Sequence, residues 1–338
     1  MRYSVGLLGH ISSAYDIAAT ADLAALAERL GYCAYWVADN RWHRDVWVTL
    51  TACAMRTERI SVGPRVTDPY IRHPALTAVA IASLDELSGG RAVLGIGAGG
   101  TGFPQLGIER RRPVPAIREA VELTRMLLGR GPVDYQGETV SFRRGALGFS
   151  ARAGIPVLIG GRGPKILSLA GEIADMAMAG CVASAEGVRW ARAQVDRGIR
   201  RAGRGADAVE LCAMTYVAVS DRASEAREAV RVAVAQAVGS SYPVLDFVTA
   251  AGLEIPPPLL ALIASGVREP ARLAPLIPDA FVDRLAIAGD TALSAAQLSR
   301  MAAAGLQHVI VAPIPVRESA QIAIERFARE VMPRVVVR

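Results

Sequence analysis

A chain of 338 residues, 52% hydrophobic and 21% charged, is long enough to bury a large core, and one barrel of about 250 residues or more suits that length as well as two domains do. The 38 basic residues outnumber the 32 acidic ones by six. Most are arginines spread along helical faces, and aromatics are only 5%, so the clustered basic and aromatic surface of a nucleic-acid binder is missing. No apolar run reaches the roughly 18 residues of a membrane span, and the start MRYSVGLLGHISS lacks the layout of a signal peptide; a cytoplasmic protein is expected. Cys33, Cys53, Cys181 and Cys212 show no C-x-x-C or other ligand spacing, which predicts free buried thiols and no metal site.

In chain order, residues 3–8 predict a strand, 15–30 a helix closed by Gly31, and 33–37 a second strand ending at Asp39 and Asn40. A helix over 47–55 leads to strand three at 60–63. A proline-punctuated loop follows at 64–74, then a helix over 75–87. Gly89-Gly90 stop that helix, and 92–96 make a short apolar run of the kind covered on both faces of a sheet. After a helix over 114–128, residues 131–150 predict an inserted hairpin turning at Gln136-Gly137. Strands at 156–159, 174–179 and 209–219 alternate with helices ending near Gly171 and over 185–202. Helical, proline-interrupted sequence fills 223–287 as a second insertion. A helix over 291–304, a strand at 308–312 and a closing helix over 319–331 complete the chain. Repeated strand–helix alternation without a break in composition predicts an α/β fold with a parallel sheet, closed as a (β/α)8 TIM barrel over 1–338; a doubly wound sheet is the alternative.

The stretch LDELSGGRAVLGIGAGG at 84–100 carries the strongest local signal. Gly95, Gly97 and Gly100 fit G-x-G-x-x-G after a strand, but no helix opens at once and no acid ends a second strand about 20 residues on, as a dinucleotide fold requires. A ligand loop at the end of a parallel strand fits better, since backbone without side chains lets a flat or anionic ligand approach its N–H groups. In a barrel, function gathers in the loops after the strands. Those loops hold His10; Asp39, Asn40, Arg41, Trp42 and His43; Arg65, Val66, Thr67, Asp68, Tyr70, Arg72 and His73; Gly97, Ala98 and Gly99; and Gly160, Gly161, Arg162 and Gly163. The last group, followed by Pro164 and Lys165, has the composition of a phosphate site at a helix start. No G-x-S-x-G, H-E-x-x-H or other nucleophile or metal signature occurs, so the chemistry is expected from a borrowed cofactor. His308 is expected to open a strand and be structural.

Five segments in chain order, YWVADN, VTDPYIRHPA, LSGGRAVLGIGAG, IGGRGPKILSLAGEIAD and FVDRLAIAGD, resemble the luciferase-like monooxygenase superfamily. Within it they are most similar to the methylenetetrahydromethanopterin-reductase branch, which uses the deazaflavin coenzyme F420. The resemblance implies a barrel with inserted segments, usually dimeric, and a hydride passed to a substrate stacked on the cofactor ring. It also implies a cis peptide at Arg65-Val66, Asp39 beside the ring, Thr67 and the 97–99 loop against ring or linker, and Gly160, Gly161, Arg162 and Gly163 at the phosphate. His10, Asn40, Trp42 and Tyr70 are expected to face substrate. Asp39, His43, Tyr70 and His73 are the candidate proton donors, with Glu109 a further one; at His73, followed by Pro74, helix capping competes with catalysis.

Where the branch tends to carry an acid in strand one, a histidine after the strand-two aspartate and an acid after the strand-four glycines, this chain has Leu7, Asn40 and Gly100. These departures lead to the expectation that the substrate is not tetrahydromethanopterin. The expected protein is an F420-dependent reductase acting on a C=C or C=N bond of a small or peptide-borne substrate, with no nucleic-acid or membrane partner. Alternatives are an FMN-dependent monooxygenase and a non-catalytic barrel that binds flavin or another phosphorylated ligand.

Overall fold

Parallel strands need a crossover that returns the chain to the same end of the sheet, and the amphipathic helices supply it nearly throughout. The computed structural model describes residues 1–100, 102–129 and 131–337. Its first half runs β1 (Arg2–Val5), α1 (Gly9–Ser12), α2 (Ile17–Arg29), β2 (Ala34–Val37), α3 (Val46–Arg56), β3 (Ser61–Pro64), α4 (Pro74–Leu87), β4 (Leu94–Gly97) and α5 (Pro113–Leu128). A hairpin, β5 (Val133–Gln136) and β6 (Ser141–Gly145), comes next, then β7 (Val157–Gly161), α6 (Pro164–Ile173), β8 (Met176–Gly180), α7 (Ala185–Arg201) and β9 (Glu210–Val219). Five helices, α8 (Ala223–Ser241), α9 (Asp246–Ala250), α10 (Pro257–Ala264), α11 (Pro270–Leu273) and α12 (Asp279–Leu285), lead to β10 (Ala286–Gly289). The chain closes with α13 (Thr291–Ala303), β11 (His308–Pro313) and α14 (Ala320–Arg326).

Eight parallel strands follow the order β3-β2-β1-β11-β9-β8-β7-β4. The two ends of that path meet through isolated bridges, Val62 with Ala92 and Thr67 with Ile96, so the sheet is a closed (β/α)8 barrel. Alternation along each strand separates two cores. Tyr35, Val157 and Ile159 face the ring of helices, while Trp36, Leu158, Met178, Cys212 and Ile310 fill the barrel interior. The helices of the second insertion have a core of their own around Phe247, Leu259, Leu273 and Phe281, and it includes Tyr216 and Ala218 near the end of β9.

Two expectations change. The helical stretch stops at Leu285, and Ala286–Gly289 is a strand. β10 pairs with Tyr216 to Val219 of β9, beyond the point where β8 ends its pairing at Met214. Four residues that follow a helix with no turn residue between them give no separate periodicity, which is why the strand is not legible. The hairpin is present, but its turn spans 137–140 rather than Gln136-Gly137. The Glu119 carboxylate gathers this turn by accepting from the backbone N–H groups of Glu138, Thr139 and Val140 and from the Thr139 hydroxyl.

The seam between β3 and β4 is tight. A Cβ on Gly63 would lie 2.1 Å from the Val93 carbonyl oxygen, and one on Gly95 2.0 Å from that of Pro64. Both neighbours are backbone and cannot swing aside. Gly95→Ala is therefore expected to cost about 1–3 kcal/mol as an overpacking change, read as a lower melting midpoint. Gly100→Ala, at a position with open space around it, should leave the midpoint within the range of an ordinary surface substitution.

Candidate active site at the barrel mouth

Beyond the seam glycines the β3 strand kinks through a cis peptide between Arg65 and Val66. Val66 is thereby aimed at the ends of β4 and β7. Its methyl carbons occupy the space that side chains at Gly97 and Gly160 would take, 2.7 Å and 3.0 Å from the respective Cβ positions. Sequence alone assigned these glycines to ligand approach; the structure gives them a prior duty, receiving Val66. Gly99 is similar. It adopts a left-handed φ of 74°, and the space its side chain would need holds the Phe103 ring and the Arg41 guanidinium.

Thr67 ties the mouth together. Its N–H donates to Gly95 O at 3.0 Å and its carbonyl accepts from Gly97 N–H at 2.9 Å, while its hydroxyl donates to Asp39 Oδ2 at 2.7 Å. Asp39 is half-buried. Burial pushes its carboxyl above the ordinary range, the Thr67 hydrogen bond opposes this, and the neighbouring Asp68 adds to it; the net direction is upward. Arg65 is buried, with Nη2 donating to Leu7 O at 3.2 Å and Nη1 without a partner among the described residues. Burial lowers its pKa to about 10, which still leaves it a cation.

Arg41 and Asp68 form a buried ion pair at the same rim, with side chains only 7% and 1% exposed. Arg41 also lies over the Phe103 ring, 4.1 Å from its centroid. The other oxygen of Asp68 accepts from Tyr70 and Ile71 N–H. Sequence reasoning placed both residues in mouth loops but gave them no role, because the pairing spans two loops and no local spacing announces it.

The remaining expected site residues divide by what they already bind. His73 uses both ring nitrogens: Nδ1 accepts from Ala75 N–H as the cap of α4, and Nε2 reaches Ser141 O at 3.3 Å. It links α4 to the hairpin and is committed as a cap, the competing role the sequence allowed. The Tyr70 hydroxyl donates to Arg111 O at 3.1 Å, and burial pushes its pKa up to about 12. Asn40 and His43 stack over Gly9, where a Cβ would collide with the Asn40 amide. His10 and His43 are exposed, and Trp42 stands on the rim, 68% exposed. On the far side, Arg162 Nη1 contacts Ala237 O and Ser241 Oγ at 2.5 and 2.6 Å, which braces the 160–163 loop against the end of α8 and occupies that guanidinium nitrogen. Gly163 precedes α6 and offers no side chain to cap it. The N–H groups of that first turn are therefore free for an anion.

A flat ring with a phosphate tail fits this arrangement. The mouth supplies a Val66 ledge, a half-buried carboxyl, two buried guanidinium nitrogens without partners among the described residues, Arg65 Nη1 and Arg41 Nε, and an uncapped helix start. Residues 1–308 match the model of the luciferase-like monooxygenase family. The chain belongs to that family. It is 34% identical over 319 residues to the 5,10-methylenetetrahydromethanopterin reductase of Archaeoglobus fulgidus, covering 92% of this chain and 93% of the relative. The coenzyme F420-dependent tetrahydromethanopterin reductase from Methanopyrus kandleri superposes with a TM-score of 0.85 at 28% identity, over 99% of each chain. An F420-dependent secondary alcohol dehydrogenase in complex with an F420-acetone adduct gives a TM-score of 0.80 at 22% identity, over 99% of this chain and 100% of that one, which speaks for the fold alone. The expectation that tetrahydromethanopterin is not the substrate finds no support here, since the reductases match nearly end to end. Among the described residues no helix is long and apolar enough to cross a membrane.

Breaking one partner of a buried pair costs about 3–5 kcal/mol. Asp68→Asn should lower the melting midpoint accordingly, because it strands the Arg41 cation. The double variant Arg41→Met with Asp68→Asn should recover part of that loss, so thermal unfolding of the cycle is expected to show a non-additive coupling.

Proposed function

We propose that this oxidoreductase is F420-dependent and moves a hydride between the deazaflavin and a C=C or C=N carbon of a small or peptide-borne substrate. The observation that carries this is the mouth itself: a half-buried carboxyl, Asp39, held by Thr67 beside the Val66 ledge, in a chain whose nearly full-length relatives include proteins with F420 in their names. Methylene-bearing reduced pterins are the first substrates to assay, since the end-to-end relatives carry reductase names of that kind. The FMN-dependent alternative has the family name behind it and fits the same mouth; what favours F420 is the nearly full-length relatives that carry it in their names.

When bound, the deazaflavin supplies a hydride-donating carbon. The residues of this chain do the rest. Val66 and the bare backbone at Gly97 and Gly160 position the ring, and Ala98 and Gly99 border it. The loop at Gly160, Gly161 and Gly163 with the first turn of α6 takes the phosphate, while Arg65 and Arg41 offer donors to ring or linker oxygens. Asp39 gives a proton to the substrate atom next to the carbon that receives the hydride, so that H⁻ and H⁺ together saturate the double bond. His43 at the rim is the second candidate donor.

The sign of the pH effect follows. Reduction needs Asp39 protonated, so the single-turnover rate is expected to fall as pH rises through its raised pKa. Thr67→Val removes a hydrogen bond that favours the ionised carboxylate and should move that fall to higher pH. Asp39→Asn should cut the rate by about 10²–10⁴-fold and flatten the profile while cofactor binding persists. A profile in Asp39→Asn that matches wild type, followed by loss of F420H2 absorbance, would remove Asp39 from the role.

We also propose a homodimer through α3 and α4. Val48 and Met55 on α3 and Leu76 and Val79 on α4 are exposed, and a cleft of about 610 Å³ lined by Trp47, Thr51, Ala80 and Phe149 adjoins them. Exposed apolar side chains on two neighbouring helices beside a cleft suit an association face. Light scattering after size exclusion should give the dimer mass for wild type and the monomer mass for Met55→Glu with Leu76→Glu. A monomeric wild type would contradict the assignment.

A further inference from the structure

The opposite, N-terminal end of the barrel holds a second cluster of polar side chains that hydride transfer does not use. Strand pairing assembles it. His308 opens β11 directly opposite Cys212 on β9. Glu210 precedes Cys212 by two residues, so alternation turns both side chains to one face of the strand. His308 Nδ1 lies 3.3 Å from Glu210 Oε1 and 3.4 Å from Cys212 Sγ, and the three atoms all lie within 4.8 Å of one another. Cys212 and His308 are fully buried.

Tetrahedral zinc with ordinary bond lengths sets a nitrogen and an oxygen ligand about 3.4 Å apart, and a nitrogen and a sulfur ligand about 3.6 Å apart. The observed separations are close to these before any ion has drawn the groups together. The surrounding contacts prepare the ligands. Ser4 Oγ lies 2.8 Å from His308 Nε2 and is itself fixed by a hydrogen bond from Trp36 Nε1 at 2.9 Å. With Nε2 held by Ser4, Nδ1 faces Glu210 and Cys212, and an ion bound there would take the place of any Nδ1 hydrogen, the orientation that outer contacts impose on metal-ligating histidines. Arg2 Nη1 holds Glu210 Oε2 at 2.9 Å, which leaves Oε1 facing the imidazole. Cys33 Sγ lies 3.6 Å from the other ring nitrogen, Nε2, and so stands outside the trio.

We propose that Glu210, Cys212 and His308 bind a divalent ion of the zinc class, with water in the fourth position, as a staple between β9 and β11. A thiolate, an imidazole and a carboxylate together select zinc or cobalt over magnesium or calcium. Binding replaces the Cys212 S–H bond with a metal–sulfur bond and releases that proton to solvent. This end of a barrel serves stability rather than catalysis, so the ion would be structural. Spacing along the sequence gives no sign of this cluster, because strand register, not sequence proximity, unites residues 212 and 308.

The test uses the full-length protein, stripped with chelator and titrated first with Co²⁺ and then with Zn²⁺. The expected result is about one equivalent of Co²⁺ with a thiolate-to-cobalt band in the near ultraviolet, bleached by Zn²⁺, and a melting midpoint raised by either ion. Cys212→Ser should abolish the band, and Glu210→Gln should weaken binding by more than the roughly 100-fold that loss of an outer contact costs. Cys33→Ser and Cys53→Ser should keep the band. No thiolate band in wild type, or a band that survives Cys212→Ser, overturns the proposal. Should Cys212→Ser fail to fold, the wild-type spectrum decides, read beside ring-nitrogen NMR of His308: Nδ1 shifted by Zn²⁺ supports the site, and a ring that stays doubly protonated at saturating Zn²⁺ refutes it.

Discussion

The barrel closes at one weak place, held by Val62 at one end of the seam and by Thr67 at the mouth. Between β3 and β4 there is no continuous ladder, because Pro64 has no N–H to give and the chain kinks immediately afterwards at Arg65-Val66. Thr67 restores the pairing with two backbone hydrogen bonds to Gly95 and Gly97. The same residue then turns its hydroxyl to Asp39. Closure of the sheet, placement of Val66 and orientation of the carboxyl are therefore one event. A residue that satisfied the backbone but lacked the hydroxyl would keep the barrel and release Asp39.

Much of this was legible in the sequence, and the parts that were not share a cause. The strands at 33–37, 60–63 and 92–96 and the helices after them announce themselves by apolar period and glycine stops, so alternation gives the parallel α/β sheet and favours the barrel over a doubly wound sheet. The resemblance of VTDPYIRHPA and LSGGRAVLGIGAG to a known family singled out the 65–67 kink and the glycine loops. What stayed hidden depends on pairs distant in sequence. Arg41 meets Asp68 across two loops. Val66 fills the space at Gly160 from the far side of the seam. His308 meets Cys212 only through strand register. The strand Ala286–Gly289 was lost for a local reason, four residues with no punctuation after a helix.

The two ends of the barrel divide the labour that a fold of this type allows. At the C-terminal mouth, bare backbone, an uncapped helix start and half-buried charge stand ready for a ligand. At the N-terminal end, Ser4, Trp36, Glu210, Cys212 and His308 are locked to one another. Between them Trp36, Leu158, Met178 and Ile310 form an apolar plug.

The most direct test of the central claim is a titration of the purified protein with F420 and, separately, with FMN, followed by fluorescence quenching. The account predicts saturable binding of F420 and much weaker binding of FMN, with F420 affinity reduced by replacing Gly163 with a bulky residue at the start of α6. Binding of FMN in preference to F420, or of neither, would contradict it.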